Sequence, residues 1–229
     1  KTQLSLDPLK TIFAVIGVLL FFFQLRVMDE WKDFEKDRVA HPNRPLPRGL
    51  LQSADIQLAI RTLSVLMVIF CIVGWLIELF DAAVLYLIVT AYLFLMYREF
   101  FIGKFLSRYP FIYGFTHQII LLPLVAFLVS VFFEAFWILP QCWYLGLTIL
   151  GSFFTYEFCR KLNPNSHSIL RTYPQVYGRW GTLVRITLTS GIALMGSAFL
   201  HIERVSFPGV LLTWVFACFW CYRPNTYKI

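Results

Sequence analysis

The sequence predicts an all-α integral membrane protein: a single bundle of about seven transmembrane helices with its active site at the cytoplasmic mouth. Three observations lead there. Apolar residues fill 59% of the 229 positions and charged residues 14%, against roughly 45–50% and 25% in a soluble domain. The apolar residues gather into runs at 9–27, 54–79, 82–98, 110–138, 142–159, 182–201 and 207–222, most of them near the ~20 residues that cross a bilayer. Basic residues crowd into every second connection between those runs. The same arithmetic excludes other classes. A mean hydropathy of +0.68 and 24 Phe are more apolar surface than a water-soluble globule of this size can hide. Disordered chains are poor in aromatics and rich in charge. Five Cys, an odd and scattered count, do not frame a secreted disulfide scaffold. The net charge of +7 points to basic cytoplasmic loops rather than to nucleic acid.

The first run, 9–27, passes into a dense charged block and not into a small-residue cleavage site, so it reads as a span and not a signal peptide. The loop behind it carries Arg26, Lys32, Lys36, Arg38, Arg44 and Arg48. Runs 54–79 and 82–98 are joined by a turn with Glu78 and Asp81 and no Lys or Arg. The third connection carries Arg98, Lys104 and Arg108. The run 110–138 is long enough to tilt, or to kink at Pro123. The connection around Pro140 has no basic residue, and the run after it, 142–159, is short. The fifth connection carries Arg160, Lys161, Arg171, Arg179 and Arg185, the sixth only Arg204, and the tail Arg223 and Lys228. This alternation places the three long loops and the C-terminus in the cytoplasm. With no internal repeat and no low-complexity segment, residues 1–229 read as one helical-bundle domain.

The first long loop carries the chemistry. Asp29, Asp33 and Asp37 are spaced i, i+4, i+8, and Glu30 lies three before Asp33. If the first span continues as helix, these four carboxylates share one face. Like charges stacked this way destabilise a bare helix and become favourable around divalent cations. Carboxylate oxygens with retained water suit Mg²⁺, which commonly shares its shell with substrate phosphates. The plainer reading is a solvated amphipathic stretch whose acids are offset by Lys32 and Lys36. The loop after Asp37 favours the site. In His41-Pro42-Asn43-Arg44-Pro45-Leu46-Pro47-Arg48-Gly49, three prolines and a glycine fix a non-helical loop that holds Arg44 and Arg48. Guanidinium groups bind phosphate oxygens in pairs. Acids for metal followed by arginines for phosphate would grip a diphosphate.

Asp29-Glu30-x-x-Asp33-x-x-x-Asp37-x4-Pro42-x-Arg44-Pro45-Leu46-Pro47-x-Gly49 resembles the first signature of the UbiA-type intramembrane prenyltransferases. The usual signature opens Asn-Asp where this chain has Asp29-Glu30. The resemblance implies an all-helical bundle, commonly of nine spans, so seven would mean one lost at each end or a shorter relative. It also implies Mg²⁺, a polyprenyl diphosphate donor and transfer of the prenyl group to an acceptor, often aromatic.

The family's second signature is another Asp-rich segment. Here the equivalent stretch, Tyr156 to His167, has no Asp. Its one carboxylate is Glu157, joined by Asn163 and Asn165 as neutral oxygen ligands, while Arg171-Thr172-Tyr173-Pro174 and Gly178 fit the signature's tail. A second metal site built on two Asp is therefore weakened or absent. Arg160, Lys161 and Arg171 could instead neutralise the diphosphate directly, or mark the end of a span. Arg98 and Lys104 either close over a phosphate in the same mouth or are plain positive-inside residues. Glu99 needs a partner at the membrane boundary, for which Arg98 and Arg108 are the nearest candidates. His117 and Gln118 lie within the 110–138 run, either to contact the acceptor or to bond between helices. Cys218-x-x-Cys221 has zinc-like spacing but sits in an apolar helix without a second pair, so both read as packing residues.

The expected activity is transfer from an isoprenyl diphosphate to a small-molecule acceptor within the lipid bilayer. Asp29, Glu30, Asp33 and Asp37 are the metal set; Asp33, Asp37, Arg44 and Lys161 the catalytic set. Arg48, Arg98, Lys104, His117, Glu157, Arg160, Asn165 and Arg171 are the substrate-binding set. Nothing in the sequence points to nucleic acid or an obligate protein partner. Two readings stand beside this one: a membrane terpene cyclase using the same diphosphate grip, and a catalytically degenerate scaffold or lipid-binding relative. A transporter fits less well, because the polar residues cluster at one membrane face and not at the midplane.

Overall fold

The computed structural model describes residues 7–162 and 166–222. The expected ligands Asn163 and Asn165, and the tail residues Arg223 and Lys228, lie outside the described residues. In chain order the helices are α1 (Pro8–Lys32), α2 (Phe34–Ala40), α3 (Ser53–Leu76), α4 (Phe80–Tyr97), α5 (Gly103–Leu106), α6 (Pro110–Gln118), α7 (Leu121–Phe132), α8 (Pro140–Arg160), α9 (Tyr173–Phe199) and α10 (Glu203–Tyr222). Short 3₁₀ turns lie at Glu99–Phe101, Phe136–Ile138 and Ser168–Leu170. Among the described residues there is no strand. The fold is all-α, as predicted.

Local chemistry sets the ends of these helices. Pro8 is the first residue of α1, and the Asp7 carboxylate accepts the Leu9 amide at 2.8 Å. That satisfies one of the orphan N–H groups every helix start leaves. Asp55 accepts the Gln52 amide at 3.1 Å to open α3, and Gln175 accepts the Thr172 amide at 2.8 Å to open α9. The 110–138 run does break near Pro123. α6 ends at Gln118 and α7 begins at Leu121. Proline has no amide and its ring crowds the carbonyl four residues back, here that of Ile119, so the ladder fails just ahead of it.

Among the described residues, six stretches are long and apolar enough to cross a membrane: Pro8–Lys32, Ser53–Leu76, Phe80–Tyr97, Pro110–Phe132, Tyr173–Phe199 and Glu203–Cys221. The seventh expected span, 142–159, forms the 21-residue α8. It is long enough, but Gln141, Thr148, Ser152, Thr155 and Glu157 make it less apolar than the six. Large apolar side chains stand outward, Leu76 at 74% and Leu212 at 71% exposure. Such surface is tolerable against lipid and not against water.

The expected fifth connection needs correction. Arg179 and Arg185 are not loop residues but lie inside α9, which begins at Tyr173 and not near 182. The Thr172–Gln175 cap and Pro174 start the helix early, and both arginines find partners within the packed chain. Arg179 donates to the Cys221 carbonyl at 3.4 Å; Arg185 stacks on aromatic rings.

The helices divide into two compact units. Unit 1 runs to Phe101 and includes Pro123–Leu139. Its centre is a cluster of rings: Phe13 stacked on Phe70 at 4.1 Å, with Phe70 tilted against Tyr86 at 4.6 Å and Tyr86 against Phe127 at 4.8 Å. Gly17 makes room for it, since a Cβ there would meet Phe127 at 2.7 Å and Phe70 at 3.0 Å. The fully buried Tyr86 hydroxyl donates to the Gly17 carbonyl at 2.8 Å. Tyr86→Phe is therefore expected to cost about 1 kcal/mol, read as a lower unfolding midpoint in detergent with activity retained. Buried Gln24 ties α1 to α3 by donating to Ser64 at 3.0 Å and to the Ile60 carbonyl at 3.3 Å.

Unit 2 holds Ile102–Leu122 and the chain from Pro140 onward. α8 and α9 run together at very close range. A Cβ on Gly196 would meet the Tyr144 carbonyl at 2.6 Å, and one on Gly151 would meet the Thr189 carbonyl at 2.7 Å. Thr155 donates to Thr189 at 2.9 Å across the same seam. Small residues that let helix backbones approach, with hydroxyls bonding between them, are how helices associate without a hydrophobic driving force. Toward the start of α9 the seam widens into a core of Phe154, Phe158, Leu162, Tyr173 and Ile186.

Candidate active site

The acidic segment lies in unit 1. α1 ends at Lys32 and α2 starts at Phe34, with Asp33 between them at φ −89° and ψ 0°. The backbone ladder nevertheless continues through the junction. Asp33 donates to the Asp29 carbonyl at 2.9 Å, Asp37 to Asp33 at 2.8 Å, and His41 to Asp37 at 2.8 Å. The three aspartates thus keep the one-turn spacing expected of them. Their surroundings differ. Asp33 is 45% exposed with Lys36 at 3.8 Å. Asp37 is 2% exposed and pairs with Arg44. Glu30 turns to Arg26, one turn earlier, at 2.6 Å, and its other carboxylate oxygen is buried without a hydrogen-bond partner among the described residues.

The proline loop behaves as its sequence demands. Successive turns close through Arg44 to the His41 carbonyl at 3.0 Å, Arg48 to Arg44 at 2.9 Å and Gly49 to Leu46 at 3.1 Å. Gly49 takes φ 81°, which only glycine adopts without strain. Leu46 is buried and pins the loop to the unit. Arg44 is held by Asp37 beside a shallow recess lined by Ala40, His41, Pro42, Asn43 and Pro45. Arg48 is exposed.

Arg98 caps the end of α4 and lies over the Phe101 ring at 5.7 Å. Glu99 does not take the neighbouring arginine expected of it. Lys32 faces it at 3.8 Å and also donates to the Met96 carbonyl at 3.4 Å. Glu99, Phe100 and Phe101 all have positive φ, at 49°, 52° and 59°. A left-handed turn of three L-residues is costly, and Lys32 on Glu99 with Tyr92 edge-on to Phe100 at 5.4 Å holds it.

In unit 2, the carboxylate of Glu157 is engaged by two cations. Arg160 donates to it at 2.7 Å and Lys161 pairs with its other oxygen. Lys161 also lies over the Tyr173 ring at 5.4 Å. Arg171, itself left-handed at φ 45°, donates to the Ser107 carbonyl at 3.2 Å and so ties this loop to the segment after α5. Lys104, on α5, is exposed. His117 is stacked on Tyr113 at 4.1 Å and bonds that residue's carbonyl at 2.8 Å through Nδ1.

Within each unit, then, some expected residues come together: Asp37 with Arg44, and Glu157 with Arg160 and Lys161. Among the described residues no three of His, Cys, Asp and Glu form a metal-holding cluster. The donor set still suits Mg²⁺ in kind. That ion binds through one or two carboxylates and completes its shell with water and phosphate. Asp33 is open to solvent one turn from Asp29, and Glu30 keeps a buried oxygen without a donor. Arg185 of α9, which faces Tyr177 of the same helix and Phe111 of α6, is missed by sequence reasoning because a charge near the start of an apolar run is counted with the basic connection before it.

Comparison with known proteins places the chain. No curated protein and no solved structure matches it. The sequence model of the UbiA prenyltransferase family matches residues 2–227, nearly the whole length. The chain is a multi-pass integral membrane protein of prenyltransferase type, and it belongs to the UbiA prenyltransferase family.

Proposed function

We propose that this chain is a Mg²⁺-dependent intramembrane prenyltransferase. It would move a prenyl group from an isoprenyl diphosphate to a small aromatic or lipidic acceptor, as one bundle domain with its motif loops in the cytoplasm. The observation that carries the reading is the unbroken ladder of Asp29, Asp33 and Asp37 with Arg44 fixed on its last member.

Mg²⁺, when bound, would add positive charge to the diphosphate. Asp29 and Asp33 would hold it, with Glu30 as the third oxygen source. Asp37 aims Arg44, whose remaining N–H groups face the phosphate oxygens together with Arg48 and Arg98. Lys104, Arg160, Lys161 and Arg171 are the phosphate-facing cations of unit 2, with Glu157 orienting Arg160 and Lys161. His117, and Asn165 beyond the described residues, complete the substrate-binding set. The allylic C–O bond breaks heterolytically and its electron pair stays on the diphosphate. Preorganised cations stabilise that growing charge more in the transition state than in the bound donor. The acceptor then attacks the allylic cation and loses a proton.

The test is diphosphate release from purified protein in detergent, with geranyl, farnesyl and geranylgeranyl diphosphate, in Mg²⁺ and in EDTA, with and without an acceptor extract. Release that requires metal is the expected result, and the organic product separates transfer from cyclisation. Binding of a prenyl diphosphate without release would favour the degenerate relative. Absence of binding in Mg²⁺ would remove the reading's support.

A further inference from the structure

We propose that Arg185 is an oxyanion-recognition residue in unit 2, taking the diphosphate of a prenyl donor or the acidic group of an acceptor. The identity of the ligand rests on the prenyltransferase reading; the site does not. Arg185 lies inside α9, a helix long and apolar enough to cross a membrane. A cation there ordinarily has a carboxylate partner or a function. Among the described residues no Asp or Glu pairs with it.

Its surroundings are aromatic instead. The guanidinium lies 3.5 Å from the Tyr177 ring centroid and 5.6 Å from that of Phe111. Arg185 is half-buried, and ring faces soften the cost of that without neutralising the charge. One N–H, from Nη1, goes to the Gly181 carbonyl at 2.8 Å. Among the described residues, Nε is buried with no hydrogen-bond partner. A guanidinium carries five donors in one plane, and a buried donor left unbonded calls for an acceptor. A carboxylate or a pair of phosphate oxygens fits that fork.

The arrangement is built rather than incidental. Tyr177 and Arg185 are eight residues apart, about 12 Å along a straight helix. Their contact exists because α9 breaks at Gly178, with φ 68° and ψ 179°. A side chain at that φ is strained, so glycine is required. Tyr177 is fixed in turn, because its hydroxyl accepts the Phe111 amide at 3.0 Å. At Gly181 a Cβ would meet Tyr177 at 3.1 Å and Arg185 Nη1 at 3.4 Å. Its absence leaves the guanidinium room over the carbonyl. That guanidinium reaches back toward the start of α9, where Lys161 covers the Tyr173 ring.

The test uses the full chain in detergent with EDTA, so that only the protein's own cations bind. The probes are inorganic pyrophosphate and benzoate, titrated against wild type, Arg185→Lys and Arg185→Gln. Arg185→Gln is expected to weaken one probe by about tenfold or more, and Arg185→Lys, which keeps charge but loses the fork, by less. A loss confined to pyrophosphate assigns the donor; one confined to benzoate assigns the acceptor. Unchanged affinity for both, with only a lower unfolding midpoint, overturns the proposal and leaves Arg185 as a clamp between α6 and α9. If Arg185→Gln does not fold, wild type serves. Modification of Arg185 by phenylglyoxal, followed by peptide mass spectrometry, should be slowed by one probe; no protection by either overturns the proposal. The two readings fail separately. Wild type that releases no diphosphate while Arg185 still binds a probe sinks the transferase alone, and the reverse sinks the site alone.

Discussion

Asp37→Ala is expected to lower Mg²⁺-dependent diphosphate release by about 10²–10³-fold, the usual cost of losing one preorganised electrostatic contact. Arg44→Ala should cost a similar factor, because Asp37 is buried against Arg44 and the two act as one device. The double variant should then fall little below either single one. Groups in one hydrogen-bonded pair are not additive. Two full losses multiplying to about 10⁴–10⁶ would sink the idea that Asp37 works by aiming Arg44. The stabilities should split the other way. Arg44 is 37% exposed on its side chain and can rehydrate when Asp37 is removed, whereas the Asp37 side chain is 3% exposed and cannot. Arg44→Ala therefore strands a buried carboxylate, at a cost of order a few kcal/mol, while Asp37→Ala costs less. Unfolding midpoints of the two variants check that order independently of any substrate.

The acidic ladder is legible from sequence because its determinant is local. Residues four apart stack on any helix, and the ladder passes through Asp33 even where α1 gives way to α2. The Arg44 pairing is local in the same sense, seven residues from Asp37 across a loop that its prolines make rigid. The partner of Glu99 is not legible. Lys32 is 67 residues away in sequence, and nothing in the charge pattern ranks it above the adjacent arginines. The same limit hides Arg185. Charges near the start of an apolar run are counted with the connection before it, but α9 carries its arginines by stacking and backbone bonding that only the packed chain reveals. Glu157 shows a third kind of gap. Composition marks it as the lone acid of the stretch from Tyr156 to His167, yet its carboxylate is engaged by Arg160 and Lys161. That makes it an organiser of cations before it is a ligand.

Gly151→Ala is expected to destabilise unit 2 although alanine is the better helix former. The intrinsic gain from Gly to Ala inside a helix is about 1 kcal/mol. Against it stands the new Cβ, which would meet the Ala193 amide nitrogen, the Thr189 carbonyl oxygen at 2.7 Å and the Ala193 Cα at 2.9 Å. All three are main-chain atoms, so no rotamer change relieves the contact; α8 and α9 must separate. Separation lengthens the Thr155–Thr189 bond of 2.9 Å one turn away. Overpacking of this kind costs about 1–3 kcal/mol, and a larger residue such as valine more. Gly191 is the internal control. It sits in the same helix pair, and a Cβ added there would meet nothing within 4 Å. Gly191→Ala should therefore show only the propensity gain, about 0.5–1 kcal/mol of added stability. Opposite shifts of the unfolding midpoint in the two variants are the expected outcome. Equal shifts would mean that α8 and α9 do not approach through Gly151, and the small-residue seam would lose its role in holding unit 2 together.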